Sequence, residues 1–199
     1  MAIIDNAVAD PAGLARALRP ALSVHPVRQS DPRTRGLLLE TSHRPADQAS
    51  LRATAPALIP IFDTFATDPD AIYLLAVNET PPVQPDGFLM RPHIDRLWRA
   101  GSFVGGAARR TTVVFLHFPP TGTGGELVVF PAGAFDDGAA VPRHSARGVV
   151  AARGGVPVEP RPGRACTMAG HLPHAVLGYT APAHAAWRLT VVVAEFAPV

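Results

Sequence analysis

Two residues at the end of an apolar run, His93 and Asp95, carry the strongest chemical signal in the chain. One residue, Ile94, separates them, and residues i and i+2 of a strand project from the same face. An imidazole and a carboxylate are therefore expected side by side, with Ile94 turned the other way. Together they supply two parts of a 2-His-1-carboxylate set, which grips a divalent metal on one side and leaves positions open on the other. The stretch His171-Leu172-Pro173-His174 offers the third donor. His174 leads directly into Ala175-Val176-Leu177, a strand-like run, and is the preferred ligand. His171 sits in the turn beside Pro173 and reads as a surface or supporting residue.

A second constellation is Arg188-Leu189-Thr190 near the C-terminus. By the same alternation the guanidinium and the hydroxyl share a face, a good cradle for a carboxylate. The surrounding residues Val191, Val192, Val193 and Phe196 are apolar, and a lone Arg in such a strand is unfavourable unless paired. The two readings are an anion-binding Arg and an edge-strand Arg in solvent. Arg91, Arg96 and Arg99 flank the His-x-Asp pair, with Trp98 among them. Arg91 shares the strand face of His93 and, with Trp98, is a candidate substrate contact; the alternative is a set of solvated charges. Cys166 lies in an apolar run and reads as a buried structural thiol. His25, His43, His117, His144 and His184 show no ligand spacing, and Glu126 reads as structural.

These side chains need a rigid frame, and the pattern of breakers says which. The 199 residues include 17 Gly and 22 Pro, favouring short elements and many turns. Asp10-Pro11 is an N-cap followed by Pro at the first helical position, and Leu14, Ala17 and Leu18 predict a short amphipathic helix ending near Pro20. Residues 22–44 read as a strand or two with turns. Leu51, Ala55, Leu58, Ile61, Phe62 and Phe65 recur at helical spacing, interrupted by Pro56 and Pro60, so a broken helix is expected. From residue 72 the texture becomes β-rich. Nine strands are predicted, at 72–78, 88–95, 111–118, 126–131, 148–153, 156–159, 163–168, 174–179 and 187–196, implying a sandwich or barrel. The Gly-rich residues 103–110 and residues 81–86 are predicted as loops over the site. One domain spans 1–199, with 1–70 as helical support and 71–199 as a β core.

Composition excludes several function classes. There is no lysine among the 18 basic residues, which removes a P-loop lysine, a Schiff-base lysine and a Ser–Lys dyad. Any bound anion must be held by Arg, His, hydroxyls or backbone N–H groups. The arginines are scattered and nearly balanced by 16 acids, unlike a nucleic-acid-binding face. No apolar run is long enough to span a bilayer, residues 1–10 lack the features of a secretory leader, and a single cysteine closes no internal disulfide. A cytoplasmic protein acting on a small molecule is expected, with no nucleic-acid or membrane partner and with monomer and homodimer both open.

From Ile72 to Phe196 these motifs, in this order, resemble the Fe(II)/2-oxoglutarate-dependent oxygenase superfamily, and within it the prolyl-hydroxylase-like branch. The elements are His93-Ile-Asp95, Gly124-Gly125-Glu126-Leu127, Pro162-Gly163-Arg164, His174-Ala-Val176 and Arg188-Leu-Thr190. The resemblance implies a mainly β fold, a double-stranded β-helix (jelly-roll) core with N-terminal helices packed on it. It implies Fe(II) at His93, Asp95 and His174, with O2 and 2-oxoglutarate as co-substrates. Arg188 and Thr190 would take the distal carboxylate of 2-oxoglutarate. Tyr73 would assist them, or else be a core residue. The implied reaction is hydroxylation of an unactivated C–H of a small carboxylate-bearing substrate, such as an amino acid or a natural-product intermediate, with release of succinate and CO2. The carboxylate at Asp95 disfavours halogenation, whereas desaturation and cyclisation stay open. A peptidyl or protein hydroxylase and a cupin-type metal dioxygenase without 2-oxoglutarate are the alternatives. Two departures stand out. Arg188 follows His174 by 14 residues, more than is usual in the family, so residues 180–186 must form an enlarged loop. Cys166 and Met168 stand where a bulkier aromatic is common.

Overall fold

The computed structural model describes residues 1–24, 33–99, 102–138, 140–142, 145–182 and 187–198. In chain order the elements are β1 (Ala2–Ile4), α1 (Pro11–Leu18), β2 (Ser23–Val24), β3 (Arg35–Ser42), α2 (Pro45–Thr54), α3 (Ile59–Phe65), β4 (Ile72–Thr80), β5 (Val83–His93), β6 (Arg96–Arg99) and β7 (Ser102–Ala107). There follow β8 (Arg110–His117), β9 (Thr123–Gly124), β10 (Leu127–Val129), α4 (Ala146–Ala152), β11 (Val156–Val158), β12 (Ala165–Ala169), β13 (His174–Thr180) and β14 (Arg188–Phe196). The helices start and stop where side chains dictate. Asp10 accepts a hydrogen bond from the Gly13 amide at 2.8 Å and Pro11 opens α1. Pro56 and Pro60 divide the second helical run into α2, a single 3-10 turn and α3, as their missing N–H groups require.

Two antiparallel sheets form the jelly-roll core. The larger has the order β1-β12-β8-β14-β4-β3-β2, and the smaller β11-β10-β13-β5, with β9 paired to β13. Both faces of the large sheet are covered, so β4, β8 and β14 read as near-continuous apolar runs. On β14, Leu189, Val191 and Val193 pack with Tyr73, Leu75 and Val77 of β4 against Leu18, Leu58 and Phe62 of the helical layer. The alternate residues turn towards the small sheet, where Val113, Phe115, Leu127 and Val176 meet. Among the described residues no helix is long and apolar enough to cross a membrane.

Several expectations are corrected. The run at 148–153 is a helix: α4 lays Ala146, Val149 and Val150 on Phe88, Phe130 and Leu177, closing the outer face of the small sheet. Its Val-Val pair has β propensity, but the i, i+3, i+4 spacing of the three contacts is helical. The Gly-rich segment after Phe103 is not a loop but β7, paired with β6 in a hairpin. Residues from Val83 belong to β5, so the segment at 81–86 is mostly strand. In the first 70 residues the strands expected within 22–44 are present as β2 and β3, and with β1, which was not expected, they widen the large sheet at both edges. His25, His144, His184 and most of the expected loop at 180–186 lie outside the described residues.

Candidate metal and anion site

His93 ends β5 and His174 begins β13, and the antiparallel register pairs them directly. Their ring centroids are 4.4 Å apart. Asp95 lies beyond the end of β5, so strand alternation does not place it. Two other contacts do: its backbone oxygen accepts from the Ala108 amide at 3.0 Å, and its Oδ2 accepts from the Thr111 hydroxyl at 2.8 Å. The carboxylate then bridges the imidazoles, with Oδ1 3.7 Å from His93 Nε2 and Oδ2 3.5 Å from His174 Nε2. All three ligand atoms fall within 4.8 Å of one another. Donors on a metal bound at roughly 2.1 Å sit about 3–3.5 Å apart, so the set needs only slight contraction to hold a divalent ion.

The outer contacts choose the ligating atoms. His93 Nδ1 faces the Arg91 carbonyl at 2.7 Å and His174 Nδ1 faces the Leu172 carbonyl at 3.4 Å. Each ring therefore donates through Nδ1–H and presents a free Nε2 lone pair, the usual way a backbone carbonyl sets the tautomer of a metal-binding His. Burial holds the His174 imidazole well below its ordinary pKa, against the opposing pull of the Asp95 carboxylate. It is neutral near pH 7, the form that ligates. His171 is exposed and outside the group.

The triad opens on a cavity of about 980 Å³ between the sheets, within the size range of small-molecule sites. At one end its lining is polar. Arg188 faces Thr80 across the β14–β4 ladder, and Thr190 faces Asn78. Arg188 is 2% exposed, yet its Nε and Nη2 find no hydrogen-bond partner. Burial lowers its pKa to about 10, which leaves it charged at neutral pH. The Phe115 ring, 5.4 Å away, offers only partial compensation. Thr80 Oγ1 is likewise buried and unpaired. A buried guanidinium with no counter-charge is unfavourable by several kcal/mol, and a ligand carboxylate would relieve it. Arg188 thus occupies the expected place despite its distance in sequence from His174. Thr190 also lines the cavity, as do Arg91 and Trp98 at its other end.

Of its two readings, Tyr73 takes that of a core residue and not that of a carboxylate ligand. Its side chain points into the helix-side core, where the hydroxyl donates to the Asp68 carbonyl at 2.9 Å and accepts from the Asp68 amide at 2.8 Å. On β4 it is the even-numbered residues, Leu74, Ala76, Asn78 and Thr80, that face the cavity; Tyr73 has the wrong parity. The tyrosine nearer Arg188 is Tyr179: its hydroxyl donates to the carbonyl of Thr80, the residue opposite Arg188, at 2.6 Å, and burial pushes its pKa up, so it is neutral. Asn78, Thr80 and Thr111 were missed from sequence. For the first two a signal exists: polar residues at period two closing an otherwise apolar strand.

No protein-family model matches the chain, and no curated protein matches it in sequence. Its fold does match solved structures. A prolyl-4-hydroxylase from Pseudomonas putida is similar over 100% of this chain and 92% of its own, at 18% identity and a TM-score of 0.52. A rice dioxygenase for auxin oxidation is similar over 96% of this chain and 69% of its own, at 15% identity and a TM-score of 0.53. SnoK, a non-heme alpha-ketoglutarate-dependent carbocyclase from nogalamycin biosynthesis, is similar over 94% of this chain and 74% of its own, at 12% identity and a TM-score of 0.53. At these identities the likeness establishes a shared fold, and it is the fold that the motif order implies.

Proposed function

We propose that the protein is an Fe(II)/2-oxoglutarate-dependent dioxygenase that hydroxylates an unactivated C–H of a small carboxylate-bearing molecule, with release of succinate and CO2. The observation that carries this reading is Arg188: a buried cation whose Nε and Nη2 have no hydrogen-bond partner among the described residues, in the same cavity as a His–Asp–His donor set. A metal enzyme without 2-oxoglutarate has no use for it.

His93, Asp95 and His174 would hold Fe(II) through two Nε2 atoms and a carboxylate oxygen. When bound, the metal with its 2-oxo acid supplies oxidative decarboxylation coupled to C–H oxidation. The protein's part is positioning and exclusion of water. Arg188 and Thr190 bind the far carboxylate of the 2-oxo acid, with the Asn78 amide and Thr80 hydroxyl beside them. Ala76 and Val192 lie next along β4 and β14 towards the metal and give the methylene carbons an apolar wall. Arg91 offers a charge for the substrate carboxylate near the metal.

The test is succinate formation by anaerobically Fe(II)-loaded protein on exposure to O2. Wild type should turn over 2-oxoglutarate and His174→Ala should not. Arg188→Ala should need about 10- to 100-fold more 2-oxoglutarate, the worth of a charge-assisted contact. Iron binding with neither turnover nor 2-oxoglutarate binding under any condition would sink the reading in favour of a cupin-like enzyme.

A further inference from the structure

The arginines of the β core divide into two groups. Among the described residues from 71 onward, Arg99, Arg109, Arg110, Arg147, Arg153, Arg161 and Arg164 each reach a carboxylate within 4.0 Å. The three that line the cavity of the His–Asp–His set, Arg91, Arg96 and Arg188, have no carboxylate partner among the described residues. Arg188 is at the inner end. Arg91 and Arg96 are exposed and bracket His93 and Asp95, so they stand at the mouth. A bulge between Met90 and His93 interrupts the alternation of β5, and Arg91, inside it, lines the cavity beside both.

Acids are missing from the same lining. Among the described residues Asp95 is its sole carboxylate, and it belongs to the His–Asp–His donor set, with Oδ2 accepting from Thr111. The wall between the arginines is apolar. Leu38 and Leu74 come from the large sheet, and Trp98 and Phe103 from the β6–β7 hairpin. Trp98 and Phe103 meet edge to face at 4.7 Å, and Phe103 is 56% exposed. The hairpin is held in place. Leu97 and Val104 pack with Leu74 and Phe196, and Arg99 grips Glu40 of β3 through two hydrogen bonds of 2.7 and 2.5 Å.

We propose that this mouth selects an apolar or aromatic carboxylate that carries no ammonium group, its carboxylate on Arg91 and Arg96 and its body on Trp98, Phe103, Leu38 and Leu74. An α-amino acid is disfavoured because its ammonium would meet two guanidinium groups and no free acid. A neutral molecule leaves both arginines unanswered. The inference rests on the proposed function and narrows its substrate class, excluding the amino acids that the sequence left open.

The experiment is calorimetric titration of Mn(II)- and 2-oxoglutarate-loaded protein, without oxygen, with three matched probes: 3-phenylpropionate, 3-phenylpropionamide and L-phenylalanine. The carboxylate should bind at least about tenfold tighter than either of the others, the worth of one hydrogen bond to a charged group. Arg91→Met combined with Arg96→Met should remove that preference and leave 2-oxoglutarate affinity unchanged. Equal or tighter binding of phenylalanine or the amide, no binding of 3-phenylpropionate, or a preference surviving in the double variant would each overturn the proposal. The 2-oxoglutarate titration made alongside separates the two levels. Its failure in wild type overturns the proposed function, while the order of the three probes still decides the charge selectivity of the mouth.

Discussion

Thr111 donates to Oδ2 of Asp95, the oxygen that also faces His174. With Asp95 outside the strand, this hydroxyl and the Ala108 amide are what aim its carboxylate. Thr111→Val should therefore weaken Mn(II) or Fe(II) binding about 10- to 100-fold, the usual effect of deleting a partner of a metal ligand, and Thr111→Ser should restore it. Equal affinity in all three proteins would show that Thr111 is only part of the β8 core. Arg188 makes a different prediction, because an uncompensated buried charge opposes folding. Arg188→Met should raise the stability of the ligand-free protein by about 1–4 kcal/mol, read as a higher midpoint of thermal unfolding. The same change should abolish the rise in midpoint that 2-oxoglutarate gives the wild type. A less stable, still ligand-responsive variant would contradict both halves. Alternation on a single strand was enough to read Arg188 and Thr190 from the sequence. Tyr73 was offered by the family resemblance and not by alternation: a shift of one residue reverses the face, and nothing local fixes which face of β4 meets the helices.

At the scale of elements, the site depends on the pairing of β5 with β13. Gly178 lets those strands approach: a Cβ there would lie 2.1 Å from the Gln84 carbonyl oxygen. Gly178→Ala should lower stability by about 1–3 kcal/mol, as overpacking does, and loosen metal binding by spreading His93 from His174. Gly106→Ala on β7, where a Cβ meets nothing within 4 Å, is the control and should change stability by no more than about 0.5 kcal/mol. Chemical denaturation of both, with metal titration, checks the pair. The long strands β4, β8 and β14 were legible because both their faces are buried. α4 was misread because it is short and its Val149-Val150 pair mimics a strand. β7 was read as a loop because Gly105 and Gly106 hide its period. Asp95 does stand beside His93 and His174, but not by the alternation expected of it, since the strand ends at His93.

Across the whole molecule, burial refuses protons that the unfolded chain accepts. His117, stacked on Trp187 at 3.7 Å with its Nε2 buried and unpaired, is held below the ordinary imidazole pKa, by burial first and by Arg19 second. His174 shifts in the same direction. The unfolded chain therefore binds more protons at mildly acid pH. The stability contributed by keeping these rings neutral is complete above an unfolded pKa of about 6.5 and falls as pH drops below it. The unfolding midpoint of metal-free protein should decline between pH 7.5 and 5.5, and less steeply in His117→Gln; a flat profile would contradict this. The fold class could be read from the chain because it rests on local period, and the grouping of His93, Asp95 and His174 because it rests largely on local spacing. The polar end of the cavity could not, because Thr80 and Asn78 come opposite Arg188 and Thr190, and Tyr179 reaches Thr80, only through pairings between distant strands.

The most direct test of the central claim is a titration of 2-oxoglutarate, without oxygen, into wild-type protein with and without Mn(II), and into Mn(II)-loaded Arg188→Met. Tight binding should require both the metal and the arginine, with affinity falling by at least about tenfold when either is removed. Binding that is indifferent to both would contradict a site in which His93, Asp95 and His174 hold one end of the 2-oxo acid through a metal and Arg188 holds the other.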